Sequence, residues 1–262
     1  MSTRIAQAFA RAQTENRAAF IPFIMAGHPS LETAQTLLNA LPAAGADIIE
    51  LGMPFSDPMA DGPVIAAAGL RALEQGTKVH NVLGMVRAFR ETNTTTPVVL
   101  MGYANPLFHY GYAAFAADAA KAGVDGLIVV DIPPEEAADL HAALSAHNLA
   151  LIRLIAPPSI PIRLQALCEG ASGYLYLISV AGITGTNTAA RDKVAEYMHA
   201  IRAHTSLPVA VGFGIKTPEQ VRALQGVADG VVVGSAIVGA MDAGGSTAAL
   251  DLVKQMVDAL TR

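Results

Sequence analysis

The chain has 262 residues, of which 52% are hydrophobic and 15% are charged, and its formal net charge is -5 at pH 7. Disorder requires low hydrophobicity and high charge, so this composition predicts a folded chain with a large core. A net negative chain without a Lys/Arg cluster argues against nucleic acid as its main partner. The single cysteine, Cys168, can form neither an internal disulfide nor a thiolate zinc cage, which favours a reducing cytoplasm.

The N-terminal stretch contains Arg11, Glu15 and Arg17 and has no continuous apolar segment of the kind found in signal peptides. The longest apolar runs, such as residues 231–241, are interrupted by Gly and Ser. They fall short of the roughly 20 apolar residues that a membrane-spanning helix needs. We therefore expect a cytoplasmic protein that does not span a membrane.

Eight short runs rich in Ile, Val and Leu hardly alternate with polar residues, as is typical of parallel strands buried on both faces. The predicted strands are residues 21–25, 47–51, 98–101, 127–130, 151–155, 174–178, 209–211 and 231–233.

Ala-rich segments with helical periodicity separate these strands. Ser30 is placed to cap one helix, and the run Thr217, Pro218, Glu219 and Gln220 is a strong helix-start signal. Eight strand–helix units predict a single (β/α)8 TIM barrel over residues 1–262, with an extra helix near residues 4–15 and another near 248–260 covering the barrel ends. An open doubly wound sheet remains an alternative, because the pattern does not show closure.

In such a barrel the active site lies at the C-terminal ends of the strands. Glu50 interrupts the second apolar run, and a carboxylate buried there should have a raised pKa. A pKa near neutrality suits a group that both gives and takes a proton. A paired structural ion is the alternative for Glu50.

A proline-rich loop follows this strand and carries Asp57 and Asp61. Asp is common in turns, so either residue alone would be explained by turn geometry. Because Glu50 lies close by on the same barrel face, we predict a functional role for Asp61 and loop support for Asp57.

Glycines after the seventh and eighth strands predict a phosphate site. Gly212 and Gly214 follow the seventh strand, and Gly234 and Ser235 open the helix after the eighth. Glycine permits close backbone approach, helix N-terminal amides favour anions, and barrel enzymes often bind phosphate at these two loops. Residues 182–185 after the sixth strand could complete the site.

Several other chemistries are disfavoured. No lysine falls within a predicted strand, and Lys216 lies beyond the seventh strand, which argues against a Schiff-base mechanism. The seven histidines show no metal-ligand spacing, so we expect no metal. There is no nucleotide-binding glycine motif, so a nucleotide cofactor is not indicated.

The run ELGMPFSDPMADGP over residues 50–63 strongly resembles the signature of the tryptophan synthase α subunit family. Residues 22–29, 101–106, 131–133 and 179–185 resemble that family's first, third, fourth and sixth strand ends, so the resemblance covers nearly the whole chain.

The resemblance implies a carbon–carbon lyase of tryptophan biosynthesis, which cleaves indole-3-glycerol phosphate to indole and glyceraldehyde 3-phosphate in a retro-aldol step. Glu50 matches the family's acid/base, and Asp61 matches the residue that binds the indole N–H. The positions matching the indole pocket and the lid contact are Phe23, Leu100, Leu127, Tyr176 and Thr184. The positions matching phosphate contacts are Gly185, Gly214, Gly234 and Ser235.

The resemblance also implies a partner, the tryptophan synthase β subunit, in an α2β2 heterotetramer. Pyridoxal phosphate would belong to that partner, and this chain would hold no cofactor. Pro54 and Asp57 match the loop that couples the two subunits. The sequence departs from the family pattern at His28, Val64, Ala66 and Val180, none of which belongs to the proposed catalytic pair.

Two other hypotheses stay open from the sequence. A different phosphosugar enzyme, such as an isomerase, fits the barrel and the phosphate loops equally well, although it does not account for Glu50 and Asp61. A barrel kept as a regulatory partner without useful catalysis is a further alternative, and the intact carboxylate pair argues against it.

Overall fold

The structure is a computed structural model that describes residues 3–157, 163–178, 188–212 and 214–261. Eight parallel strands close into a barrel in the order β1 to β8, each hydrogen-bonded to its sequence neighbours and β8 to β1. The predicted TIM barrel is confirmed, and closure excludes the open sheet. The strands are β1 (Ala19–Met25), β2 (Ile49–Gly52), β3 (Val98–Gly102), β4 (Gly126–Val129), β5 (Ala150–Ile155), β6 (Leu175–Ile178), β7 (Val209–Gly212) and β8 (Gly230–Val233).

Helices surround this barrel, and two of them follow each of β2 and β3. The helices are α1 (Thr3–Thr14), α2 (Leu31–Ala40), α3 (Pro63–Glu74), α4 (Val79–Arg90), α5 (Ala104–Tyr110), α6 (Tyr112–Ala122), α7 (Ala138–Ala146), α8 (Leu164–Glu169), α9 (Thr188–Arg202), α10 (Pro218–Ala223) and α11 (Ser235–Thr261), with a short 3-10 turn at Pro134–Glu136.

The helix starts inferred from sequence are confirmed at two positions. The Ser30 side chain accepts a hydrogen bond from the backbone N–H of Thr33 at 3.1 Å, which caps α2. At α10, Thr217 and Gln220 form a reciprocal capping box with Pro218 at the first helical turn. These caps satisfy backbone N–H groups that have no partner inside a helix.

The barrel has two apolar layers. Side chains from the inner faces of the strands fill its interior, and the apolar side of α1, through Ile5, Ala8, Phe9 and Ala12, packs into the same cluster. Side chains on the outer strand faces pack against the surrounding helices in a larger cluster. The barrel is therefore closed by packing at the end where α1 lies, which leaves its opposite end for a site.

A helix is present over the predicted residues 248–260, but it does not take the predicted position at a barrel end. Residues 248–260 belong to α11, which begins directly after β8 and has a break at Gly244 and Gly245. Although the length and hydropathy of α11 would suit a membrane span, the helix packs against α2, α3, α10 and β1. It is thus part of the outer wall of the barrel and does not cover an end.

Candidate active site

Glu50 lies in the middle of β2 and is fully buried. Its strand neighbours in register are Phe23 on β1 and Val99 on β3. The Tyr174 hydroxyl donates a hydrogen bond to one carboxyl oxygen, Oε1, at 2.6 Å, and the other oxygen, Oε2, has no partner among the described residues. The carboxyl group is thus held from one side and free to meet a ligand on the other.

Burial raises the pKa of Glu50 to about 8, and the hydrogen bond from Tyr174 partly opposes this shift. Water is a far better solvent for a carboxylate than the barrel interior, so the neutral acid is favoured inside. At neutral pH the group is mostly protonated, yet it loses its proton within reach of physiological pH. The predicted rise in the pKa of Glu50 is confirmed, and the group can serve as both acid and base.

Asp61 lies on the loop between β2 and α3, where its backbone N–H donates to the Pro58 carbonyl at 3.0 Å. Partial burial raises the pKa of its carboxyl, and the neighbouring Tyr103 hydroxyl opposes that shift by stabilising the ionised form. Tyr103 also accepts a hydrogen bond from the Ala60 backbone N–H at 3.1 Å. Its ring stacks on Phe55 with centroids 4.9 Å apart. One tyrosine therefore contacts the loop at three points around Asp61.

Both carboxylates open on one cavity of about 620 Å³ at the C-terminal ends of the strands. Five other residues predicted from the sequence also line this cavity. They are Phe23, Tyr176, Gly214, Gly234 and Ser235. The fold therefore brings the predicted acid/base pair, two aromatic side chains and the glycine loops to one place. Thr184 and Gly185 lie outside the described residues.

Leu100 and Leu127 are not where the sequence analysis placed them. Both belong to the outer apolar layer between strands and helices, so they do not face the cavity. Their neighbours point inward instead, because successive side chains in a strand lie on opposite faces. Met101 lines the cavity, and Ile128 belongs to the barrel interior. The assignment was wrong by one residue on each of these two strands.

Two glycines allow the aromatic side chains to take their positions. A Cβ atom at Gly52 would come within 2.5 Å of the Phe23 ring, and one at Gly212 within 2.3 Å of the Tyr176 hydroxyl. These distances are too short for any larger residue without a shift of the ring. The two glycines thus fix where Phe23 and Tyr176 meet the cavity.

The loop residues expected to couple to a partner differ in exposure. Pro54 is buried, whereas Asp57 is exposed and accepts a hydrogen bond from the Ser56 hydroxyl at 2.5 Å. Within the described ranges, Met59 on the same loop is a large apolar side chain exposed to solvent, as is Phe108 on α5, the helix that begins directly after Tyr103. A partner surface next to Asp61 is compatible with this arrangement.

Besides Met101, sequence reasoning missed three residues that line or support the site. Tyr174 and Tyr103 were not singled out, although each follows or belongs to an apolar strand run, where a polar hydroxyl needs a buried partner. Lys216 was considered only as a Schiff-base residue and set aside, but it lines the cavity.

His28, which departs from the family pattern, does not line the cavity. It is buried, and its Nε2 lies 2.9 Å from Asp242 Oδ1 on α11. Within the described ranges, no three or more His, Cys, Asp or Glu side chains are grouped to hold a metal ion. The expectation that this chain needs no metal stays a prediction.

Comparisons with known proteins agree with the geometry. The family model described as tryptophan synthase alpha chain matches residues 9–261. A tryptophan synthase alpha chain from Phenylobacterium zucineum is 55% identical over 235 residues, covering 90% of this chain and 85% of the relative. One from Gluconacetobacter diazotrophicus is 52% identical over 240 residues, covering 92% and 88%.

Solved structures show the same likeness. The crystal structure of a tryptophan synthase alpha chain from Legionella pneumophila has a TM-score of 0.90 at 39% identity, covering 98% of this chain and 97% of that one. A chain of Mycobacterium tuberculosis tryptophan synthase has a TM-score of 0.92 at 37% identity, with 100% of both chains covered. Given a matching family model over nearly its whole length and relatives above half identity, the chain belongs to the tryptophan synthase alpha chain family, whose members are lyases that cleave indole-3-glycerol phosphate in tryptophan biosynthesis.

Proposed function

We propose that Glu50 and Asp61 carry out the retro-aldol cleavage of indole-3-glycerol phosphate in this chain, releasing indole and glyceraldehyde 3-phosphate. The observation that carries the proposal is the Glu50 carboxyl, which is fully buried, has a pKa raised to about 8 and faces the same cavity as Asp61. A neutral carboxylic acid inside an apolar pocket is a proton donor at physiological pH.

The reaction needs one proton moved in each direction. Protonated Glu50 gives its proton to indole C3, which makes the ring nitrogen positively charged. The bond between C3 and the side-chain carbon then breaks, and its electrons return to the ring. The side-chain hydroxyl becomes the aldehyde as its proton passes to the Glu50 carboxylate, so the residue ends as it began. Such acid/base assistance contributes about 10²–10⁴-fold in rate.

Asp61 acts at the other side of the indole ring. Its carboxylate accepts a hydrogen bond from the ring N–H, and this bond strengthens as positive charge develops there. Tyr103 favours the ionised form that this role needs, because its hydroxyl stabilises the carboxylate. Preorganised charge aimed at a group that becomes charged in the transition state stabilises that state more than the substrate.

The remaining cavity residues would hold the substrate. Phe23, Met101 and Tyr176 offer an apolar wall for the indole ring. The backbone amides at Gly214, Gly234 and Ser235 would bind the phosphate, since Ser235 begins α11 and helix N-terminal N–H groups attract anions. From the family resemblance we also assign Gly185 to the phosphate and Thr184 to lid closure over Asp61.

We infer further that the chain forms one domain and works in the cytoplasm with a tryptophan synthase β subunit in an α2β2 heterotetramer. The β subunit would carry pyridoxal phosphate, and the alpha chain would need no cofactor. Exposed Asp57 and Met59 on the Asp61 loop, and exposed Phe108 on α5, support a docking face there, and Pro54 is buried near the start of the loop. Binding of the β subunit at this face would affect the position of Asp61 through the loop that carries it.

Indole release from indole-3-glycerol phosphate tests the proposal, measured for the purified chain with and without a β subunit. We expect slow release that rises when the partner is added, with glyceraldehyde 3-phosphate formed in equal amount. Asp61→Asn should lower the rate about 10²–10³-fold, because one electrostatic contact to the transition state is lost.

Circular dichroism and thermal unfolding would establish that the variant is folded. Absence of indole release from folded wild-type protein, alone and with the partner, would refute the proposed reaction. Turnover of another phosphosugar by the same preparation would then select the isomerase alternative.

A further inference from the structure

We propose that Lys216 is a binding residue for the substrate phosphate, and this inference rests on the proposed function. Lys216 lines the same cavity as Gly214, Gly234 and Ser235. Among the described residues that line it, Lys216 is the one with a cationic side chain, whereas Glu50 and Asp61 are acidic. The positively charged side chain therefore belongs to the same cavity as the glycine loops that are proposed to bind the phosphate.

The backbone at Lys216 is held in place. Its N–H donates to the Gln220 side-chain oxygen at 2.6 Å, and the N–H of Thr217 donates to the same oxygen at 3.2 Å. The capping box of α10 and Pro218 fix the turn that follows. Because the backbone is anchored, the side chain needs to order only its own rotatable bonds to reach a ligand.

The Lys216 side chain is also available. It is exposed, and within the described ranges no carboxylate lies close enough to form an ion pair with it. By contrast, Lys254 lies 3.8 Å from Asp251, and Arg71 on α3 pairs with Asp242. A lysine ammonium has three hydrogen-bond donors and a positive charge, and here they are available to bind an anionic ligand.

Charge balance favours an added cation at this point. The substrate brings a phosphate of about two negative charges into a cavity whose other ionisable groups are carboxylic acids. Backbone amides at a helix start supply only about half a unit of positive charge. An exposed lysine at this cavity would offset part of the repulsion between the phosphate and Asp61 and would draw the anion toward the glycine loops.

The test compares Lys216→Met with Lys216→Arg and with Lys121→Met, which removes the same charge from the exposed face of α6. Steady-state cleavage of indole-3-glycerol phosphate gives KM and kcat. Equilibrium binding of glycerol 3-phosphate and of indole, measured separately, probes the phosphate end and the ring end of the cavity.

We expect Lys216→Met to raise KM and to weaken glycerol 3-phosphate binding about 10-fold, with kcat changed less than about 2-fold and indole binding unchanged. Lys216→Arg should restore most of the loss, and Lys121→Met should show none. Because the side chain is exposed, the loss should shrink to about 2–3-fold as salt rises from about 0.02 M to about 0.5 M.

Unchanged glycerol 3-phosphate binding in Lys216→Met would overturn the inference. An equal loss of indole binding would also overturn it, because the effect would then be structural. Because glycerol 3-phosphate binding is measured without turnover, the proposed role of Lys216 can be refuted independently of the proposed cleavage reaction. A wild-type chain that binds glycerol 3-phosphate through Lys216 but releases no indole would refute the proposed reaction alone.

Discussion

The two carboxylates of the cavity are held by different kinds of structure. Glu50 stands within β2, fully buried, and receives its hydrogen bond from Tyr174 inside the barrel. Asp61 stands on a half-buried loop, and its support comes from Tyr103 at the end of β3. A group in a strand is positioned by the core, whereas a group on a loop can move with whatever contacts the loop.

Under the proposed function, we expect this difference to separate the chemistry at Glu50 from regulation through the Asp61 loop. The barrel interior raises the pKa of Glu50 whether or not a partner is present, because its cause is burial among residues of this chain. The Asp61 loop itself carries Asp57 and Met59, two exposed side chains proposed to meet the β subunit. We therefore expect partner binding to change what Asp61 does and to leave Glu50 almost unaffected.

Glu50→Gln should have the largest effect. The variant keeps the size of the side chain but can neither give nor take the proton, so indole release should fall about 10²–10⁴-fold. Because native Glu50 is mostly neutral at pH 7, the neutral amide should be accommodated without loss of fold. Rates measured with and without a β subunit should fall by the same factor.

Thermal unfolding of the Glu50→Gln variant provides the control for that prediction. A large loss of rate with an unchanged unfolding midpoint supports the acid/base role. If the β subunit restored the lost rate of indole release, Glu50 would be affected by partner binding, and the proposed separation of the two regions would be wrong.

Tyr174→Phe should have an intermediate effect, visible mainly in the pH dependence of the rate. The Tyr174 hydroxyl lowers the pKa of Glu50, so its removal should move that pKa above its wild-type value of about 8. Protonated Glu50 would then persist to higher pH, and the alkaline fall in kcat/KM should shift upward. The rate at pH 7 should change less than about 10-fold.

Tyr176→Phe is the matched comparison, since this second buried tyrosine of the same region makes no hydrogen bond to Glu50 among the described residues. For Tyr176→Phe, the fall in kcat/KM at alkaline pH should occur near the same pH as in the wild type. A shift of equal size in both variants would show that the Tyr174 hydrogen bond does not set the pKa.

Tyr103→Phe should have the smallest of the three effects when the β subunit is bound, because its effect should depend on the partner. The variant removes the acceptor for the Ala60 N–H and the hydroxyl that stabilises ionised Asp61, so kcat/KM of the isolated chain should fall about 3–10-fold. With the β subunit bound, the loop gains other support, and the loss should shrink below about 2-fold. A loss that is unaffected by the partner would show that the loop is not the regulated region.

The barrel, and the meeting of Glu50, Asp61 and the glycine loops at one cavity, could be predicted from the sequence because each depends on local signals. Strand runs, helix caps and the motif around Asp61 are all contiguous in the chain. The face on which each strand residue lies could not be predicted in the same way. β3 and β4 are buried on both faces, so Leu100 and Met101 are equally apolar in sequence, and only the register of the closed barrel separates them.

Contacts between distant parts of the chain were also invisible from the sequence. Tyr174 lies 124 residues from Glu50, and only barrel closure brings its hydroxyl to the carboxyl group. Lys216 was set aside because it follows β7 instead of lying within it, yet that position is what places it at the cavity. Because residues just past the strand ends line the mouth of a barrel, a lysine there indicates a binding role as much as the glycines do.

The pH dependence of kcat/KM for indole-3-glycerol phosphate cleavage tests the acid/base assignment of Glu50 most directly. The wild-type chain should lose activity about tenfold per pH unit above about pH 8, because Glu50 must be protonated before it can donate to indole C3. The residual activity of Glu50→Gln should lack this fall. Wild-type activity that stays level up to about pH 10, or an alkaline fall that persists in Glu50→Gln, would contradict the account.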